Sequence, residues 1–289
     1  MKVVVGGGSG FVGRALVLSL LEDGHDVAVA SRRPSRHNGP GRTIGWEAVG
    51  REVDGADAVV NLAGVSIGGP RWTRGRKQVI LASRVDTTRA IVRAIEAAKE
   101  RPGVFVTASG IGYFGDSGDD IVDEGSPQGD SFLARVCGEW EAAGAAAPIR
   151  HVAVRSSLVL GPGAPALRLM ALPFRLFAGG PIGDGRQWFP WVHLDDIVRV
   201  YRRAIDDESL EGAVNAVAPE QLRQRDAARA FGSVLHRPSI LPAPAFAVRL
   251  GLGEQADLLL EGQRAVTRKL DGLEFRYRGL RAALEDALL

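Results

Sequence analysis

Residues 3–13 read Val-Val-Val-Gly-Gly-Gly-Ser-Gly-Phe-Val-Gly, a β-branched run broken by glycines and followed by an amphipathic stretch. A strand, a tight turn and a helix start in that order make an anion cradle, because the first N–H groups of a helix have no internal partners. Gly8, Gly10 and Gly13 fit G-x-G-x-x-G, and Gly7, Gly10 and Gly13 fit G-x-x-G-x-x-G, so the register stays open by one residue. Both registers predict that Gly7, Gly8, Ser9, Gly10, Phe11, Val12 and Gly13 hold the pyrophosphate of a dinucleotide. One glycine makes the turn, one lets the backbone approach the phosphates, and Gly13 allows close packing of helix on strand.

About 20 residues after such a turn, an acidic residue ends the second strand where a ribose 2′-hydroxyl is bound. Here Asp26-Val27-Ala28-Val29-Ala30-Ser31 is followed by Arg32-Arg33, and Asp26 stands at the opposite end of that strand. Guanidinium groups grip phosphates through paired, charge-assisted hydrogen bonds. Ser31, Arg32 and Arg33 therefore predict the 2′-phosphate of NADP(H).

The elements positioning these residues alternate. Strands are expected near 2–5, 26–31, 57–62, 103–108 and 150–155, and helices near 11–23, 76–99 and 130–145, the pattern of βαβ units and a parallel sheet. The expected fold is α/β, a Rossmann-type doubly wound parallel sheet over residues 1–160, with a smaller C-terminal α/β substrate lobe over 161–289. Part of that lobe, about 190–220, is expected to pack back on the sheet. Leu273–Tyr277 reads as a strand before a last helix at 279–288.

The 289 residues are 45% hydrophobic and 24% charged, with a formal net charge of +2. So small a charge argues against nucleic acid or an anionic membrane as partner, and a small-molecule substrate is expected. The cluster Arg71, Arg74, Arg76, Lys77 reads as a solvated helix start. Cys137 is the only cysteine, which excludes an internal disulfide, fits a reducing compartment and reads as core-facing. Without an apolar run of ~18 residues or a leader pattern, a cytoplasmic protein is expected. His, Cys, Asp and Glu are too scattered for metal-ligand spacing. Nothing in the sequence specifies an oligomeric state.

Several segments, taken together, resemble the extended short-chain dehydrogenase/reductase superfamily of nucleotide-sugar epimerases and dehydratases, and most closely an atypical branch of epimerase-family proteins of unassigned substrate. They are 7–13, Asn61-Leu62-Ala63-Gly64, Arg71-Trp72-Thr73, Ser83-Arg84, 109–115, Trp140-Glu141, Arg155, Gly179-Gly180-Pro181-Ile182-Gly183 and Trp191-Val192-His193-Leu194-Asp195-Asp196. The resemblance implies an NADP(H)-binding Rossmann fold in which Leu62, Ala63, Gly64 and Arg84 also touch the cofactor. It places a catalytic hydroxyl at Ser109 or, one residue on, at Gly110. It implies a Tyr-x-x-x-Lys pair in the next helix, but Phe132 and Val136 occupy those positions. Arg135 lies about 100° round that helix from the lysine position.

With that pair gone, Ser109 and Tyr113 are the expected catalytic hydroxyls. His193 with Asp195 and Asp196 offers an acid/base pair or, by resemblance, a helix start capped by an aspartate. Arg155, Arg186, Gln187, Trp188 and Trp191 offer cations and flat aromatic faces, and Arg155, Arg186 and Trp191 are expected at the substrate cleft. Two functions follow: an NADP(H)-dependent oxidoreductase or epimerase-like enzyme acting by hydride transfer on a small carbonyl or hydroxyl substrate, or an NADP(H)-binding protein with little turnover.

Overall fold

The computed structural model describes residues 1–36 and 39–289. Its first half runs β1 (Lys2–Gly6), α1 (Phe11–Glu22), β2 (Asp26–Ser31), β3 (Arg42–Gly45), α2 (Val49–Val53), β4 (Ala58–Asn61), α3 (Arg74–Ala97), β5 (Val104–Gly110), β6 (Ile121–Val122), α4 (Phe132–Ala145) and β7 (Arg150–Ser156). The second runs β8 (Leu158–Leu160), α5 (Pro165–Arg175), β9 (Trp191–His193), α6 (Leu194–Asp206), β10 (Gly212–Ala216), α7 (Gln224–Leu235), α8 (Ala245–Leu252), α9 (Asp257–Leu260), β11 (Arg264–Ala265) and α10 (Leu280–Leu288).

Seven parallel strands pair in the order β10-β7-β5-β4-β1-β2-β3. The chain builds outward from β1 to β3, then restarts at β4 on the other side of β1. That reversal opens a crevice at the strands' C-terminal ends, the ligand position of open α/β sheets. Val3, Val5, Val27, Val29, Val60, Val106 and Val154 face the core shared with α1 and α6, while Val4, Ala28, Val59 and Phe105 meet the core under α2 and α3. Burial of both faces explains why these strands read as unbroken apolar runs.

The five expected strands and the doubly wound parallel sheet are borne out, and two strands of that sheet went unread. β3 is short, and β10 (Gly-Ala-Val-Asn-Ala) carries little β-branched signal. The expected strand at Leu273–Tyr277 is absent. Phe275 and Tyr277 do point inward, as alternation suggested. The N–H groups of Arg276 and Tyr277, however, donate to the buried Asp196 carboxylate at 2.6 and 3.0 Å, so a side chain replaces the strand ladder. A separate core of Leu167, Phe174, Trp191, Phe231 and Leu284 holds α5, α7 and α10 together. By contrast, α6 packs on α1 and β10 completes the main sheet.

Candidate functional site

At the β1–α1 turn the glycine register closes. Gly7 has φ +78°, and a Cβ there would lie 2.6 Å from the Leu62 carbonyl carbon. Gly10 caps α1 and has open space apart from the Gly7 carbonyl oxygen at 3.3 Å. A Cβ on Gly13 would overlap that same oxygen. Turn, approach and packing thus fall to Gly7, Gly10 and Gly13, while Gly8 is packed against Val29 and Val17. The α1 N-terminus opens into the crevice beside them. Such a cradle, with no side chain in its mouth, fits a pyrophosphate.

Ser31, Arg32 and Arg33 stand at the C-terminal end of β2, both arginines exposed and the Arg33 N–H donating to Ser31 Oγ at 3.2 Å. Asp26 is at the far end. On the other side of β1, Asn61 fixes the loop after β4. Its Oδ1 accepts from the Ala63 N–H at 3.1 Å, and its Nδ2 donates to Thr88 Oγ1 at 2.9 Å. Leu62, Ala63 and the exposed Gly64 therefore line the crevice next to the glycine turn.

Arg84 joins this loop to two helices. Its Nη1 donates to the carbonyls of Val65 and Ile80, both at 3.0 Å, and its guanidinium lies 5.1 Å from the Trp140 ring centre. A Cβ on Gly64 would be 3.0 Å from the Arg84 Cζ. Burial lowers the Arg84 pKa, and the neighbouring Cys137 opposes that shift.

The α4 helix, capped by Ser131 Oγ accepting from the Ala134 N–H at 3.1 Å, does not present the expected face. Phe132 packs edge-on to Trp72 at 5.2 Å, with Lys77 Nζ 5.0 Å from its ring. The residues against the end of β5 are Leu133, near Gly112, Cys137, near Gly110, and Glu141. The face is one residue later than the Phe132/Val136 register, and it too lacks a phenol and an ammonium. Burial and the Glu141 charge push the Cys137 thiol up to about 11, so it stays protonated at neutral pH.

Glu141 is the functional candidate that sequence reading passed over. Ser109 Oγ donates to Glu141 Oε1 at 2.6 Å, and Arg155 Nε and Nη2 donate to Oε1 and Oε2 at 2.8 and 2.7 Å. The Arg155 guanidinium carbon lies over the Tyr113 ring, 3.4 Å from its centre. Ser109, Tyr113 and Arg155 are thus brought together as expected candidates, around a carboxylate from another helix. Arg155 is no open cleft residue but a buried ion pair, whose Nη1 has no partner among the described residues.

Other expectations change. Trp191 is fully buried in the second core, its indole N–H without a partner among the described residues, because β9 carries it under α7 and α10 rather than into the cleft. Arg186 is exposed on its loop. Trp188 is held between Arg223 and Arg264, at 3.9 and 4.8 Å, and donates to Asp119 Oδ1. His193 itself caps α6, its Nδ1 accepting from the Asp195 N–H at 3.2 Å, so the expected aspartate cap is not used. Its Nε2 meets Asp286 at 3.2 Å, and its ring lies 3.8 Å from that of Tyr277, tilted by 38°. The basic cluster does open α3, with Arg71 and Arg74 exposed, and three of its four members are also anchored. Arg71 and Arg76 bind the carbonyls of Leu250 and Ser66, and Lys77 pairs with Glu254. Burial raises Glu261, beside Asp257, Asp116 and Asp130, to about 6. No single stretch of sequence could flag it, since these neighbours come from separate segments.

Comparison with known proteins gives two family matches. Residues 3–216 match the NAD dependent epimerase/dehydratase family and residues 243–287 a domain of unknown function, DUF1731. Epimerase family protein SDR39U1 of Mus musculus is 40% identical, the match covering 100% of both chains. The Arabidopsis thaliana SDR39U1 homolog, described as chloroplastic, is 41% identical over 98% of this chain and 86% of its own length. The crystal structure of human SDR39U1 (isoform2) with NADPH superposes with a TM-score of 0.91 at 38% identity, covering 99% of this chain and 98% of that one.

Proposed function

Because the chain belongs to the NAD dependent epimerase/dehydratase family, we propose that it is an NADP(H)-dependent oxidoreductase or epimerase-like enzyme acting on a small carbonyl or hydroxyl substrate. The observation that carries this reading is the cradle at Gly7, Gly10 and Gly13, open at the α1 N-terminus and flanked by Arg32 and Arg33. The human relative crystallised with NADPH supports it. The dinucleotide, when bound, supplies the hydride.

The chain's own residues divide the remaining work. Backbone N–H groups of the glycine turn and the start of α1 hold the pyrophosphate, and Ser31, Arg32 and Arg33 hold the 2′-phosphate. Since that phosphate fixes the adenosine half at the β2 end, the other half lies toward β4 and β5, where Leu62, Ala63, Gly64 and Arg84 wait. Arg84, on α3 beside Cys137 and Trp140 of α4, supplies a positive charge in this half of the site, where α4 carries no lysine.

Ser109 is the hydroxyl placed to exchange a proton with the substrate oxygen. In the oxidising direction its proton passes to Glu141 Oε1 as it takes the substrate's, and the reverse serves reduction. Arg155, buried against Tyr113, keeps Glu141 in place through its paired hydrogen bonds. Tyr113, fixed under Arg155, forms the wall of the site and is the second hydroxyl within it.

A panel of aldehydes, ketones and sugar nucleotides, followed by NADPH or NADP⁺ absorbance, tests the proposal. Turnover abolished by Ser109→Ala but not by Phe132→Leu is expected. Turnover indifferent to both Ser109 and Glu141 would overturn the assignment, and absence of NADPH binding would overturn the function.

A further inference from the structure

Charge is segregated in this chain although its total is small. Residues 142–183 contain no Asp or Glu, and neither do residues 227–253. The two stretches meet on the surface. Leu241 N–H donates to the Gly179 carbonyl at 3.1 Å, Ala243 N–H to that of Pro181 at 2.8 Å, and the Arg237 guanidinium sits 4.6 Å from the Phe177 ring.

The face they form is apolar beyond what the core requires. In α5, Leu167, Ala171 and Phe174 already fill the inward stripe, yet Leu169, Leu172 and Leu176 stand outside it. The α8 helix, Ala-Phe-Ala-Val-Arg-Leu-Gly-Leu, buries none of its residues, and Phe246 and Leu250, one turn apart, are 75% and 78% exposed. Ile240 is 75% exposed. So many large apolar side chains on one face mark an interaction surface.

The cations select the occupant. Arg168, Arg175 and Arg237 are exposed on or beside this face, and Arg249 on α8 pairs with Asp257 at 2.8 Å. A two-fold contact with a second copy would set arginine-bearing segments that contain no Asp or Glu of their own against each other. An anionic bilayer offers phosphate to the arginines and an acyl boundary to the leucines and phenylalanines at once.

We propose that the face made by α5, residues 176–183 and residues 237–252 docks on an anionic lipid surface. Leu172, Leu176, Phe177, Ile240, Phe246 and Leu250 enter the acyl boundary, and Arg168, Arg175 and Arg237 lie at headgroup level. The chain rests on the bilayer without crossing it: among the described residues no helix is long and apolar enough to span a membrane. The total of +2 gave no sign of this because it averages over the acidic segments elsewhere.

Co-sedimentation of the full chain with phosphatidylcholine vesicles, with and without phosphatidylglycerol, tests the proposal. Binding to the mixed vesicles should exceed that to pure phosphatidylcholine by at least roughly tenfold and weaken with salt. The double variant Arg168→Glu/Arg175→Glu should lose that margin, and Phe246→Ser/Leu250→Ser should lose binding at constant charge. All four side chains are exposed, so an unchanged melting curve verifies folding. Failure to pellet with mixed vesicles, or equal pelleting with both kinds, overturns the proposal. Self-association in analytical ultracentrifugation that the Phe246/Leu250 variant abolishes would assign the face to a second copy and overturn it too.

Discussion

The two halves of the crevice are built from different materials. Toward β2, the site is backbone: a glycine with positive φ, a helix start and a strand end, all within residues 3–33. Toward β5, it is side chains from distant segments: Ser109 from β5, Glu141 from α4, Arg155 from β7 and Arg84 from α3. In the first half a Cβ on Gly7 or Gly13 would meet backbone, so the turn depends on its glycines. In the second half, under the proposed function, the charges come from side chains on several elements, so a residue missing from α4 can be met from another.

The largest loss is expected at the turn. Gly10→Val puts a side chain into the open mouth of the cradle, and NADPH binding should vanish in fluorescence titration while circular dichroism stays native. Gly13→Val should instead fail to fold normally, since its Cβ overlaps the Gly7 carbonyl oxygen. If Gly10→Val still bound NADPH, the turn would be structural only.

On the side-chain half, Ser109→Ala and Glu141→Gln should each lower kcat by roughly 10²–10⁴-fold, the usual worth of positioned proton transfer, with little change in NADPH affinity. Tyr113→Phe should cost less, because no base accepts its proton. An equal or greater loss in Tyr113→Phe would move the proton path to the phenol and reduce Ser109 to a support for Glu141.

What the sequence disclosed follows the same division. Local patterns carried the turn, Arg32 and Arg33, and five of the sheet strands, since alternation of apolar runs with helices leaves few topologies open. β10 was illegible because its neighbour β7 stabilises it, not its own propensity. Trp191 looked like a cleft residue because exposure cannot be read from residue type. Glu141 was quoted within a shared Trp-Glu pair yet given no role, since only the fold brings it to Ser109. The α4 residues against the end of β5 are Leu133, Cys137 and Glu141, about 100° of rotation from Phe132 and Val136, and only the fold shows which of these faces meets the strand.

Smaller effects should separate the ends of the cofactor. Arg32→Asp should cost NADPH at least roughly tenfold in affinity and erase its preference over NADH, a charge-assisted contact being worth ~1.5–3 kcal/mol. Arg84→Met should weaken NADPH by a similar factor but leave 2′,5′-ADP, which lacks the nicotinamide half, unaffected. Calorimetric titration with both ligands distinguishes the two arginines. Equal weakening of both ligands by Arg84→Met would show that Arg84 supports the fold of the β4 loop rather than the far half of the cofactor.

The smallest effect concerns a residue removed from the chemistry. His193 was a candidate acid or base, and the structure makes it the cap of α6, its Nδ1 accepting from the Asp195 N–H. Only an unprotonated Nδ1 can accept, so the cap requires neutral imidazole with Nε2–H directed at Asp286. Burial holds the His193 pKa below its ordinary value despite Asp195, Asp286 and Asp196 nearby. A histidine whose folded pKa is lowered contributes stability above its unfolded pKa, ~6.5, and that contribution is lost as pH falls toward the folded value. His151, held down to about 4 by burial, adds to the same slope. Melting temperature should therefore drop between pH 7 and pH 5. His193→Asn keeps a capping side chain that does not titrate, so it should melt within a few degrees of the parent at pH 7 and lose less on acidification. An unchanged slope in His193→Asn would assign the acid sensitivity to His151 and show that protonation leaves the α6 cap intact.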